Sequence, residues 1–109
     1  MATTSKVNQL QLLQQNLQNI LLQKQQVESS LIELNSASAE LQKTDKAYRI
    51  VGKIMIASPK EDLLSDINQK KEIAELRLKN ITQQEENIKR NLESLQKEAV
   101  RELHKKNEE

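Results

Sequence analysis

The chain has 109 residues, with 17 Lys or Arg against 16 Asp or Glu and a formal net charge of +1. That length supports one domain, and so even a balance supplies no global field to recruit nucleic acid or an anionic membrane. Tyr48 is the only aromatic, with one Gly, one Pro and no Cys, which excludes a conventional aromatic core, disulfides, a thiolate metal site and a glycine-rich phosphate loop.

The opening Met-Ala-Thr-Thr-Ser-Lys lacks an apolar signal-peptide core, and no apolar run approaches the roughly 20 residues of a membrane span. With no cysteine to protect, the expectation is a soluble, cytoplasmic protein. From Thr4 to Asp45 the apolar residues step by three and four. Leu10, Leu13, Leu17, Ile20, Val27, Leu31, Leu34 and Leu41 share one seam, interrupted by Lys24 and Ser38. A heptad pattern held this long predicts a coiled-coil helix over 4–45.

The next segment, Ala47-Tyr48-Arg49-Ile50-Val51-Gly52-Lys53-Ile54-Met55-Ile56-Ala57-Ser58-Pro59, differs in kind. Two short β-branched runs flank Gly-Lys, which reads as a β-hairpin over 47–57 with Gly52 first in a two-residue turn. Alternation would set Ile50, Ile54 and Ile56 on one face and Val51 with Met55 on the other. Ser58 or Pro59 can then open a second helix over 60–107, with Glu61 and Asp62 suited to the positive end of its dipole. Its seam holds Leu64, Ile67, Ala74, Leu78, Ile81, Ile88, Leu92, Leu95 and Ala99, broken by Lys71, Glu85 and Glu102.

Each helix would be roughly 60–70 Å long at about 1.5 Å per residue, and similar lengths on either side of a reversing element imply an antiparallel pair. The fold class expected is therefore mainly α: a long antiparallel two-helix coiled coil, residues 1–109 in a single domain, linked by a β-hairpin. In that register Lys24 approaches Glu85 and Ser38 approaches Lys71. The first pair is either a pin that fixes alignment or two independently tolerated polar positions.

A lone two-stranded hairpin is marginal in water. This one has two unpaired edges and apolar residues on both faces, a hazard that closure into a barrel with other chains removes. The hairpin is thus an oligomerisation element. At the opposite end, Leu12, Leu21, Leu22, Val100 and Leu103 lie outside the seam among Lys97, Arg101, Lys105 and Lys106. Scattered exposed leucines are ordinary, but their concentration at a free end marks an adaptable interaction tip. Off-seam Ile32, Ile73 and Leu76 lie nearer the hairpin and are expected to pack against neighbouring subunits.

Catalytic chemistry has nothing to stand on. His104, the only histidine, sits near a charged terminus, and Glu85-Glu86 and Glu108-Glu109 read as solvated faces or tails where no concave pocket tunes them. No catalytic, cofactor-binding or metal residue is assigned, no cofactor is expected, and no basic stripe interleaved with aromatics offers itself to nucleic acid.

Two heptad helices around Tyr48-Arg49-Ile50-Val51-Gly52-Lys53-Ile54-Met55-Ile56 resemble the prefoldin family over essentially the whole chain, and its β class of archaeal type in particular. The segment between 45 and 60 leaves room for one hairpin, where α-class subunits of that family carry two. The resemblance implies a hetero-hexamer of four such chains and two α-class chains, their hairpins joined in a double β-barrel platform to which Tyr48, Ile50, Val51, Gly52, Ile54, Met55 and Ile56 would contribute. It implies coiled-coil tips that capture unfolded client proteins without ATP, with Val7, Leu10, Leu12 and Leu13 facing Ala99, Val100 and Leu103. It also implies delivery to a group II chaperonin, for which the charged stretch 101–109 is the candidate contact. Mobile tips on a rigid platform would gain avidity from several weak contacts. The alternative from another class is a static coiled-coil scaffold or adaptor with one defined protein partner.

Overall fold

The computed structural model describes the backbone of residues 2–108 and the side chains of residues 5–105. Four elements follow in order: α1 (Ala2–Gln42), β1 (Tyr48–Val51), β2 (Ile54–Ala57) and α2 (Lys60–Glu108). The protein is mainly α, two long helices joined by one antiparallel hairpin, as the heptads and the lone Gly imply. Both helices are rich in Leu, Gln, Glu and Lys, which lose little rotamer freedom in a helix, and neither contains Gly or Pro.

α1 stops at Gln42, short of the expected Asp45. The Lys43 and Thr44 N–H groups turn back onto the Glu40 and Leu41 carbonyls at 3.1 and 3.4 Å, the i→i−3 pattern that tightens a last turn. Thr44 Oγ1 accepts the Lys46 N–H and donates to the Lys46 carbonyl, both at 3.2 Å. That local alternative competes with helix continuation. α1 has no basic residue in its last turn, and the ammonium of Lys60 supplies the missing positive charge by donating to the Gln42 carbonyl at 3.2 Å. α2 starts behind Pro59, whose carbonyl accepts the Leu63 N–H at 3.3 Å, with Glu61 and Asp62 in its first turn.

The hairpin pairs Tyr48 with Ala57, Arg49 with Ile56, Ile50 with Met55 and Val51 with Ile54. Gly52 has φ of 62° and no other described residue has positive φ, so Gly52 opens a two-residue turn of the type that needs glycine first. Ala47 lies outside the strands, yet it is buried, and its carbonyl accepts the Ser58 N–H at 3.0 Å to close the base of the hairpin. Two strands cannot close a barrel within one chain, so the closure expected of these edges lies between subunits.

The chain divides into two compact units: Met1–Gln25 with Asn80–Glu109, and Gln26–Lys79. In the first, Lys6 pairs with Glu102 and Lys24 with Glu85, so the partner number falls as α1 advances and the two helix segments run antiparallel. In the second, Gln26 and Val27 share a surface groove with Ala74 and Arg77, and Gln42 meets Lys60, the same sense. Burial recurs every three or four residues along α1, at Lys6, Leu10, Leu13, Leu17, Ile20 and Lys24 and onward from Val27 to Leu41. The buried apolar residues are Ile81, Leu92 and Ala99 in the first unit and Val27, Ala47 and Ala74 in the second. Among the described residues no large side chain is wholly buried.

Candidate functional site

The first unit is built on a seam that alternates apolar layers with two Lys–Glu layers. Lys24 Nζ lies 2.9 Å from Glu85 Oε2, and Lys89, one turn along α2, donates to Glu85 Oε1 at 2.8 Å. Both carboxylate oxygens are thereby satisfied in a residue only 7% exposed, which is what a buried carboxylate requires. The Lys24–Glu85 alignment expected from the two interrupted heptads is formed. Ser38 is also buried in its seam position in the second unit, with Lys71 half-buried on the other helix.

The hydrogen bond from Lys89, then that from Lys24, holds the Glu85 carboxyl below its ordinary value of 4.5, against the opposing effect of burial. A carboxyl whose folded pKa is depressed adds stability above its unfolded value and loses it as pH falls through the folded value. The melting temperature of the wild-type chain should therefore fall more steeply than that of Glu85→Gln on going from about pH 6 to about pH 3. Parallel curves in circular-dichroism melts would show that Glu85 contributes nothing to acid sensitivity.

The second polar layer was not legible as a pair. Lys6 donates to Glu102 Oε1 and lies 3.5 Å from Glu98 Oε2. The Glu102 hydrogen bond raises the Lys6 ammonium above its ordinary value. Glu102 was visible as a break in the second seam. Its partner was not, although Lys6 sits seven residues before Leu13 on the same spacing.

The expected tip residues fall into two sets. Val7, Leu12, Val100 and Leu103 are exposed, between 43% and 60%, whereas Leu10 and Leu13 are half-buried in the seam and Ala99 is buried. Leu12, Leu13 and Leu95 line an open groove together with Gln9, Asn91, Ser94 and Glu98. Leu95 was read as a seam residue and not as part of this groove, and its polar lining was missed, because the groove follows from which side of the seam a residue occupies rather than from apolar spacing. Leu21 and Leu22 are exposed further along α1. The described part of the charged stretch, Arg101 to Lys105, is exposed at Arg101, Leu103, His104 and Lys105, while the side chains of 106–109 lie outside the described residues.

In the second unit every strand residue is exposed, Ile50 by 71% and Met55 by 66%. Cross-strand partners share a face, so the register sets Ile50 with Met55 and Tyr48 on one side and Val51 with Ile54, Ile56 and Arg49 on the other. This corrects the expected split, in which Ile50 lay with Ile54 and Ile56. A two-residue turn makes Val51 and Ile54 direct partners, which puts Ile54 on the face of Val51. Arg49 pairs with Asp66 of α2 and ties that second face to the helix. Ile32, Ile73 and Leu76 are exposed in the same unit.

Residues 4–106 match the sequence profile of a family described as "Prefoldin subunit". The chain belongs to the prefoldin family. Among its relatives, the prefoldin subunit beta of Archaeoglobus fulgidus is 42% identical over 86 residues, 76% of this chain and 74% of that one. The prefoldin subunit beta of Pyrobaculum neutrophilum is 36% identical over 102 residues, 91% of this chain and 81% of that one. The crystal structure of the prefoldin beta subunit from Thermococcus strain KS-1 superposes with a TM-score of 0.85 at 28% identity, covering 90% of this chain and 89% of that one. The protein is thus a prefoldin subunit of the beta class, a coiled-coil component of a chaperone complex, and the single-hairpin reading of its sequence agrees with that class. No helix among the described residues is long and apolar enough to cross a membrane, and none of their His, Asp and Glu side chains form a group able to hold a metal ion.

Proposed function

We propose that this prefoldin subunit is an ATP-independent holdase component that captures unfolded proteins at the free ends of its helices and passes them to a group II chaperonin. The observation that carries the reading is the exposure of Val7, Leu12, Val100 and Leu103 in the first unit, where Leu10 and Leu13 are half-buried. Apolar exposure concentrated in one unit of a chain this polar marks an interaction surface, and weak contacts repeated over several subunits gain avidity through their common platform. The exposed hairpin, Tyr48 to Ala57, supplies the platform by pairing its edges with those of other subunits. The partners are α-class prefoldin subunits, two to every four of these chains.

In this reading residues 1–109 act as one domain, no substrate is turned over, the complex works in the cytoplasm, and the charged stretch 101–109 meets the chaperonin. The test replaces Val7, Leu12, Val100 and Leu103 together by Ser. These side chains are exposed, so folding and assembly persist, while suppression of aggregation of several unrelated unfolding proteins without ATP drops at least about tenfold, the equivalent of 1.4 kcal/mol. Undiminished suppression by the assembled variant would overturn the tip assignment. Binding of one defined partner and no unrelated client would favour a scaffold.

A further inference from the structure

We propose that Lys6, with Glu98 and Glu102, is a salt-sensitive latch at the end of the first unit, and that its opening sets how much of the adjoining apolar layer is presented to a client. The inference rests on the tip reading above and adds a mode of regulation to it.

Lys6 occupies a seam position, four residues before Leu10 and seven before Leu13, and Glu102 follows Ala99 by three. The pairings Lys6 with Glu102 and Lys24 with Glu85 set a register in which Leu10 is level with Ala99. The outermost pair described is therefore ionic where the seam would otherwise be apolar, and the layer beneath it is the half-buried Leu10 against buried Ala99.

An ion pair in such a position holds less firmly than the apolar layer it replaces, because desolvation offsets much of its attraction. Here one oxygen of Glu102, Oε2, is buried without a hydrogen-bond partner among the described residues, which weakens the layer further. The Lys6 and Glu102 side chains are 24% and 31% exposed, so salt reaches them. The Debye length shrinks from about 30 Å at about 0.01 M to about 3 Å at about 1 M. Exposed Val7 and Leu103 are the immediate chain neighbours of Lys6 and Glu102, so an opened latch would join Leu10 to apolar surface already available.

The test uses the full chain in its assembled state and two variants of the latch, read by amide hydrogen exchange over 5–13 and 95–105 and by client aggregation. In the wild type, exchange and capture should both rise about two- to fivefold between about 0.01 M and about 1 M NaCl, the range an exposed ion pair commands. Lys6→Glu sets three carboxylates together, so its exchange should start high and fall with salt. Lys6→Leu with Glu102→Leu should show slow exchange and the lowest capture, both flat with salt. Wild type and Lys6→Glu responding to salt with the same sign would overturn the latch. Exchange that follows this pattern while capture ignores it would overturn the regulatory role and leave the tip assignment standing. Absence of capture by every form, wild type included, would overturn the tip assignment itself.

Discussion

Replacing Ile50 and Ile54 by Asp should leave a chain that folds its two helices and fails to assemble. Both side chains are exposed, 71% and 65%, so nothing in the isolated subunit depends on them. They lie on opposite faces of the hairpin, Ile50 with Met55 and Ile54 with Val51, and the pair of substitutions therefore tests both. A carboxylate carried into an interface without a partner costs several kcal/mol, and each 1.4 kcal/mol is tenfold in affinity. The midpoint of assembly should accordingly move by at least about a hundredfold. Sedimentation velocity reads the assembly, and far-ultraviolet circular dichroism reads the helices. A double variant that sediments like the wild type would remove the hairpin from the interface, and one that lost its helical signal would make the hairpin part of the subunit's own folding.

What could be read from the sequence followed the strength of the periodic signal. The helices were legible because a 3–4 apolar step over many turns has few other solutions, and their polar interruptions were informative for the same reason. Lys24 and Glu85 are not gaps in the seam but buried members of it. The hairpin was legible from Gly52, since the only glycine stands where a positive φ is needed. The faces of the strands were not assigned correctly, because alternation was read across the turn instead of through the cross-strand pairs. Thr44 ended α1 early through bonds to Lys46 that periodicity does not encode. At the candidate tip, exposure of Leu12 and Val100 was visible from their off-seam positions. The Lys6–Glu102 layer and the groove beside Leu95 needed the register of one helix on the other, which neither helix carries by itself.

That register is where the other large effect is expected. Lys24→Glu should destabilise the first unit by about 2–3 kcal/mol, less than the full cost of breaking a wholly buried pair because Lys24 is 27% exposed. The substitution faces Glu85 with a like charge and leaves Lys89, among the described residues, to neutralise it. Adding Glu85→Lys to it restores an opposite pair across the same seam and should recover most of the loss in thermal melts. A double swap no more stable than the sum of its single variants would mean the two residues are not coupled. The apolar replacement, Lys24→Leu with Glu85→Leu, separates stability from alignment. It should melt at or above the wild-type temperature, since an apolar layer costs no desolvation. Yet it also removes one of the two Lys–Glu layers of the first unit's seam, which weakens the preference for this alignment over one shifted by a heptad. Paired spin labels on α1 and α2 of the first unit should then report more than one distance where the wild type reports one. A single distance in the Leu variant would mean that the hairpin and the Lys6–Glu102 layer suffice to set the register, and that Lys24 and Glu85 are merely tolerated there.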